Sequence, residues 1–344
     1  MFGLEPLPRT LEAALRDLKS NTERIRASAL RDLGRHGGTE DSRAASDAMA
    51  AVLDGDPSPE VRGAAALALA DAGAHDAIEA VLRAAGDVNV HVRQMALIAL
   101  GELGDATEAR VASVVKDAAN DPVAALRFQA LIAANALALP QAGAMLLEGT
   151  NDADGEVRHI ALCLLEERAT GDTEFVLDDA VRAAARARLT DVSLRVRLVA
   201  AILLARTGDR SGSVAIVDGI AARDAAVDPA DRQAAIVLAG ELGLRAAAPA
   251  LTRHAFGVFG RGSRFVFEAR IALATLGDAR AKSSILRGLT AFNRDVRTLA
   301  VVAAGRAHLV EALPLLEAMQ ADERRAESLA VTDALLALRD SREA

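Results

Sequence analysis

One motif recurs nine times along the 344 residues, at a mean spacing close to 34. Its clearest copy is Val92-Arg93-Gln94-Met95-Ala96, followed by Ala99-Leu100-Gly101 and Leu103-Gly104-Asp105. The arginine, or the residue in its place, falls at 26, 62, 93, 127, 158, 197, 232, 266 and 297, and alanine follows three places later in all nine copies. A tenth, degenerate copy puts Ala330 in that alanine's role. Apolar residues at −1, +3, +6, +7 and +10 from the arginine make the stripe of one helical face. A unit this short cannot bury such a stripe alone, so successive copies must stack.

Each copy reads as a pair of helices, the motif marking the second. Gly37, Gly73, Gly104, Gly208, Gly243 and Gly277 stand eleven places after the arginine position, where a left-handed C-cap is expected. The first helix of the next pair follows a short turn, as in Ala77-Ile78 with Val81-Leu82 and Val111 with Val114-Val115. About ten antiparallel pairs account for the chain. The expected organisation is one all-α solenoid over 1–344, with 1–38 and 309–344 as its capping repeats. Composition agrees. Alanine, the best helix former, supplies 79 residues, while Trp and Tyr are absent and Phe numbers eight. A single thick core would recruit aromatics; a thin core drawn out along a stack needs small side chains.

At these residues the chain resembles the HEAT-repeat family, in the short-repeat form also found in phycobilisome lyase-like proteins. The resemblance rests on the pattern D-x5-R-x-x-A followed by L-G-x-L-G-D and covers nearly the whole length. It implies a right-handed α-solenoid of HEAT-like repeats, and it is specific for fold rather than for task.

Five repeats place Asp six residues before the arginine: Asp56 and Arg62, Asp87 and Arg93, Asp121 and Arg127, Asp152 and Arg158, Asp191 and Arg197. An Asp at that distance suits the capping of helix N–H groups and the positive end of the helix dipole. Stacking lets each arginine reach an Asp of its neighbour, so the row is read as a structural ladder. Repeats seven to nine lack the Asp and should lack the rungs.

Catalytic constellations are missing. The histidines, His36, His75, His91, His159, His254 and His308, form no H-E-x-x-H and start no His-Glu pair. Cys163 falls in an apolar second helix and is expected to be a buried, inert thiol. Gly260-Arg261-Gly262 follows no strand, so it is no dinucleotide loop. No catalytic, cofactor-binding or metal-ligating residue is assigned, and a non-enzymatic chain without cofactor is expected. Nucleic acid is disfavoured by a net charge of −8, a pI near 5.4 and the shortage of stacking aromatics. The charge-free stretch Phe128 to Leu147 is long enough to span a bilayer, but Gln129, Asn135, Pro140, Gln141 and Gly143 make it two buried helices and a turn. With no basic-then-apolar start in MFGLEPLPRT, a cytoplasmic protein without membrane insertion is expected.

The charge is uneven. Residues 245–306 carry eleven basic side chains against Glu268, Asp278 and Asp295, a net +8 that leaves −16 elsewhere. Five of the eight phenylalanines lie there, Phe256, Phe259, Phe265, Phe267 and Phe292, and residues 253–264 break the repeat rhythm. Such asymmetry points to a partner with an acidic segment. Phe265 replaces the core valine and is expected in the core. Helix geometry adds a second pointer, since positions one and eight after the arginine turn away from the stripe. The first of these rows holds the large residues Phe128, His159, Leu198 and Phe267 among small ones. The expected contact residues are therefore Phe128, His159, Leu198, Phe259, Arg261, Arg264, Phe267 and Arg294. The reading is a protein-protein interaction scaffold that presents a concave helical surface to a partner protein or peptide. Its alternatives are a bilin lyase-like subunit, which the resemblance allows, and weak nucleic-acid binding through the basic third.

Overall fold

Every arginine of the motif sits in the first turn of a helix. The computed structural model describes residues 9–38, 42–170, 178–257, 263–322 and 324–343, and all regular structure among them is helical. The chain divides into two compact units, Met1–Arg168 and Ala169–Ala344. The first holds α1 (Leu11–Asp17), α2 (Glu23–Gly34), α3 (Ser42–Gly55), α4 (Pro59–Asp71), α5 (Ile78–Ala84), α6 (Val90–Leu103), α7 (Ala109–Ala118), α8 (Ala124–Ala136), α9 (Ala142–Gly149) and α10, which begins at Gly155 and runs to Thr170. The second holds α11 (Asp179–Arg188), α12 (Leu194–Ala205), α13 (Ser213–Ala221), α14 (Pro229–Glu241), α15 (Ala248–Phe256), α16 (Val266–Thr275), α17 (Ala279–Gly288), α18 (Arg294–Arg306), α19 (Leu313–Gln320) and α20 (Ser328–Glu343). Even-numbered helices carry the motif. The alanine three places after the arginine position is buried in all nine copies, from Ala29 to Ala300.

Within each unit the even helices pack on one another in sequence, α2 on α4 on α6 on α8, and α12 on α14 on α16. The seam lies at position eight after the arginine, which the helical angle alone turned away from the core. A methyl group on Gly240 would lie 2.9 Å from the Cα of Ala272, and one on Gly305 would lie 2.9 Å from the Cα of Ala334. Backbones this close leave room only for small residues at Gly240 and Gly305, and Gly or Ala fills this position in seven of the nine copies, Asn135 and Glu166 being the others.

Position eleven ends the helices with a left-handed residue. Gly73, Gly208, Gly243 and Gly277 have φ between 62° and 92°. Gly104 departs from the expectation, with φ −70°, and in the first copy the positive φ falls on Gly38 instead of Gly37. Two copies without glycine adopt the same turn: Ala138 and His308, each with φ 50°. At Ala138 and His308 the helix-to-helix path sets the backbone despite the side chain.

The ladder aspartates are not the caps themselves. Ser58, Asn89, Val123 and Ser193 occupy the N-caps of α4, α6, α8 and α12. The Asp stands two residues earlier, and its Oδ1 accepts the N–H of the cap residue, at 2.9 Å from Ser58 to Asp56 and 2.7 Å from Asn89 to Asp87. This small turn brings the chain into the helix at a fixed angle.

Candidate protein-interaction surface

The best-formed ladder arginines divide their guanidinium between two repeats. In Arg62, Nη1 donates to the carbonyl of Asp56 in its own repeat at 2.8 Å, while Nε and Nη2 donate to the two carboxylate oxygens of Asp87 in the next, both at 2.9 Å. Arg127 does the same with the Asp121 carbonyl and the Asp152 carboxylate. Arg26 grips Asp56 in the same way, a rung hidden from the sequence count because Ser20 stands where that repeat's own Asp would be. Arg93 is looser, with Nη2 3.9 Å from Asp121. Arg158 and Arg197 keep the carbonyl bonds to Asp152 and Asp191. Hydrogen bonds from Arg62 and from Arg127 hold the carboxyls of Asp87 and Asp152 below the usual range. Beyond the Asp-bearing repeats the arginine turns elsewhere. Arg232, fully buried, pairs with Asp224 and donates to the carbonyls of Ala222 and Arg223, and Arg297 donates to the carbonyls of Arg325, Ala291 and Phe292.

The expected contact residues divide. Leu198 is completely buried. It faces α13, where a methyl on Gly219 would lie 2.6 Å from its Cδ1, so it is core and not surface. His159 is buried too, with Nε2 3.7 Å from the Sγ of Cys163. Cys163 is itself half-buried, more open than the sequence suggested. Phe128 is half-buried on α8 of the first unit. Phe259 and Arg261 lie outside the described residues. Arg294 is exposed, with Nη2 3.2 Å from the carbonyl of Ala326. Arg264 and Phe267 come together, in a groove of the second unit.

That groove exists because α16 starts late. In the other eight full copies the helix begins three residues before the arginine position, whereas α16 begins at it, with Val266. The missing turn is replaced by a pinned loop. His254 Nδ1 meets the Ser263 hydroxyl at 2.9 Å, its Nε2 meets the Ile220 carbonyl at 2.9 Å, and its ring stands edge-on to Phe265 at 5.6 Å. Phe265 is buried, as expected from its place in the repeat. α18 packs only loosely on α16. Val61, Val92, Val157 and Val196 are fully buried in the position where Val296 is 45% exposed. Leu299, one turn on, is 53% exposed, and Phe292 is fully exposed.

The resulting cleft has a volume of about 330 Å³. Val266 and Phe267 of α16, Ile285 of α17, and Val296, Leu299 and Ala303 of α18 form its apolar lining. Arg264 and Arg270 stand on its rim, with Ser284. Arg264 lies over the Phe265 ring, 5.0 Å from its centre. Arg270 is held below the usual guanidinium range, chiefly by burial and then by the charges of Arg280 and Arg287. The few acids nearby are engaged elsewhere: Glu268 accepts from Gln233, and Asp278 caps α17. Two other cavities, about 570 and 610 Å³, include polar groups that already have partners, among them Arg127 with Asp152, and Glu268 with Gln233. The smaller cleft joins uncovered apolar side chains to arginines without carboxylate partners among the described residues.

Residues 46–135 match the family model for HEAT repeats. No curated protein matches the chain in sequence. Among solved structures, the X-ray structure of E. coli YibA is similar over 79% of this chain and 93% of that one, at 18% identity and a TM-score of 0.54. A structure of Kap95p bound to RanGDP is similar over 95% of this chain but 51% of that one, at 13% identity and a TM-score of 0.53. The chain thus spans about half the length of that protein. These likenesses are to the repeat fold, and none is specific to the phycobilisome lyase type.

Proposed function

We propose that this HEAT-repeat protein is a scaffold that docks an acidic, amphipathic helix of a partner protein in the groove of α16, α17 and α18. The observation that carries the reading is the exposure of Val296, at a core position of the repeat, and of Leu299 next to it, beside the arginines of the rim. An apolar helical stripe covers such a floor, and acidic side chains flanking the stripe meet Arg264 and Arg270. The sequence supports the same polarity, since the +8 charge of residues 245–306 selects an acidic partner. Kap95p, which binds RanGDP, supplies a precedent for protein binding on such repeats. The reading assigns no catalytic step, and it needs no membrane; no helix among the described residues is long and apolar enough to cross one.

Fluorescence anisotropy with a Leu/Glu amphipathic peptide and its Leu/Lys counterpart tests it. The acidic peptide should bind and the basic one should not, and Leu299→Asp should remove binding without changing the circular dichroism spectrum. Equal binding of the two peptides would overturn the reading.

A further inference from the structure

Three arginines and a serine converge where α17 borders the groove. Arg280, Ser284 and Arg287 share one face of α17, at spacings of four and three residues. Arg270 joins them from α16. The Phe256 ring joins two of them, its centre 3.9 Å from the Arg280 guanidinium and 5.4 Å from that of Arg270. Among the described residues no carboxylate pairs with any of the three arginines. Their hydrogen bonds run to backbone, from Arg270 to the Ala255 carbonyl and from Arg287 to the Ser283 carbonyl, each 3.3 Å. Arg270 is half-buried, and Arg280 and Arg287 are exposed. Like charges gathered on a partly desolvated surface raise one another's free energy until an anion joins them. Arg62 and Arg127 each find an Asp carboxylate in the next repeat; here, among the described residues, the set is one anion short.

We propose that this cluster binds the phosphate of a phosphorylated serine or threonine on the docked partner. The proposal rests on the docking reading and refines its acidic group. A carboxylate carries one charge on two oxygens and leaves most of the cluster uncompensated. A phosphomonoester brings a charge near −2 and three acceptor oxygens, which match forked guanidinium donors and the Ser284 hydroxyl. The apolar floor alongside favours a peptide over a nucleic acid. A sugar-phosphate strand would need a continuing cationic track, and the chain outside residues 245–306 carries −16.

The test compares two degenerate peptide libraries on the immobilised full chain, one with a fixed phosphoserine and one with serine there, and includes a 12-nucleotide single strand. The phosphoserine library should be retained about tenfold better, close to the worth of one charge-assisted hydrogen bond. Arg280→Gln/Arg287→Gln should abolish that excess, and Arg280→Lys/Arg287→Lys should restore part of it. Both residues are exposed, so the variants should melt with the wild type. Equal retention of the two libraries overturns the phosphate site, as does stronger retention of the oligonucleotide. Leu299→Asp separates the two readings: it should weaken both libraries alike, and if it changes neither, the groove reading fails on its own account.

Discussion

Arg62 binds both carboxylate oxygens of Asp87 across the boundary between two repeats, at 2.9 Å each, while its third nitrogen holds the carbonyl of Asp56. One side chain therefore fixes the entry loop of its own repeat and that of the next. Arg62→Ala should cost about 2 kcal/mol, because a shielded Asp87 loses a bidentate partner. Arg127→Ala should cost as much. Arg93→Ala should cost less, since its contact to Asp121 is 3.9 Å. Thermal melts of the three variants check the order. Equal losses would mean that the bond across the boundary contributes nothing beyond the carbonyl bond that all three share.

Two glycines should respond to the same substitution with opposite signs. Gly240→Ala pushes a methyl to 2.9 Å from the Cα of Ala272. Backbone cannot yield as a side-chain tip does, so overpacking of about 1–3 kcal/mol outweighs the gain in helix propensity. Gly143, inside α9, has nothing within 4 Å of a new methyl. Gly143→Ala should stabilise by about 0.5–1 kcal/mol. Chemical denaturation of the pair checks the contrast.

Ala138 holds φ 50° after α8, a conformation that costs a non-glycine residue about 1–2 kcal/mol. Ala138→Gly removes that strain and returns part of it as unfolded-chain entropy, for a net gain of about 0.5 kcal/mol. A rise in melting temperature checks it. Gly73→Ala, at the equivalent turn, should lower the melting temperature instead.

The Asp209 carboxyl is lowered to about 2 from its ordinary 3.8 by the Ser211 hydroxyl, the Ser211 N–H and Arg186, in that order. A carboxyl whose pKa is lower in the folded chain contributes stability above the unfolded value and loses it as pH falls through the folded one. The stability difference between wild type and Asp209→Asn should therefore be full at pH 5 and above, then shrink between pH 4 and pH 2. Urea melts across that range check the prediction, and a difference that grows as pH falls would contradict it.

Much of the fold was written in the repeat. The 34-residue spacing, the buried alanines and the left-handed turns at Gly73, Gly208, Gly243 and Gly277 all follow from period and residue type. The ladder was half legible. Stacking was expected to bring each arginine to an Asp of its neighbour, and Arg62 meets Asp87 in that way, but counting back six residues misses Arg26 because Ser20 occupies the counted place. Helical angle misled at Leu198, since an angle names a direction and not the helix that covers it; α13 does so through Gly219. The groove was not legible. Val296 has the identity and register of buried valines elsewhere, and its exposure follows from the late start of α16, which the stripe of apolar residues does not encode. The signal that did survive was compositional: excess arginine and phenylalanine in the one stretch where the rhythm breaks.

Hydrogen–deuterium exchange of the full chain, with and without the Leu/Glu amphipathic peptide, tests the docking groove most directly. The account predicts slowed exchange confined to residues 264–303, strongest at the start of α18, and absent in Leu299→Asp. Protection centred in the first unit, or uniform across both units, would contradict it.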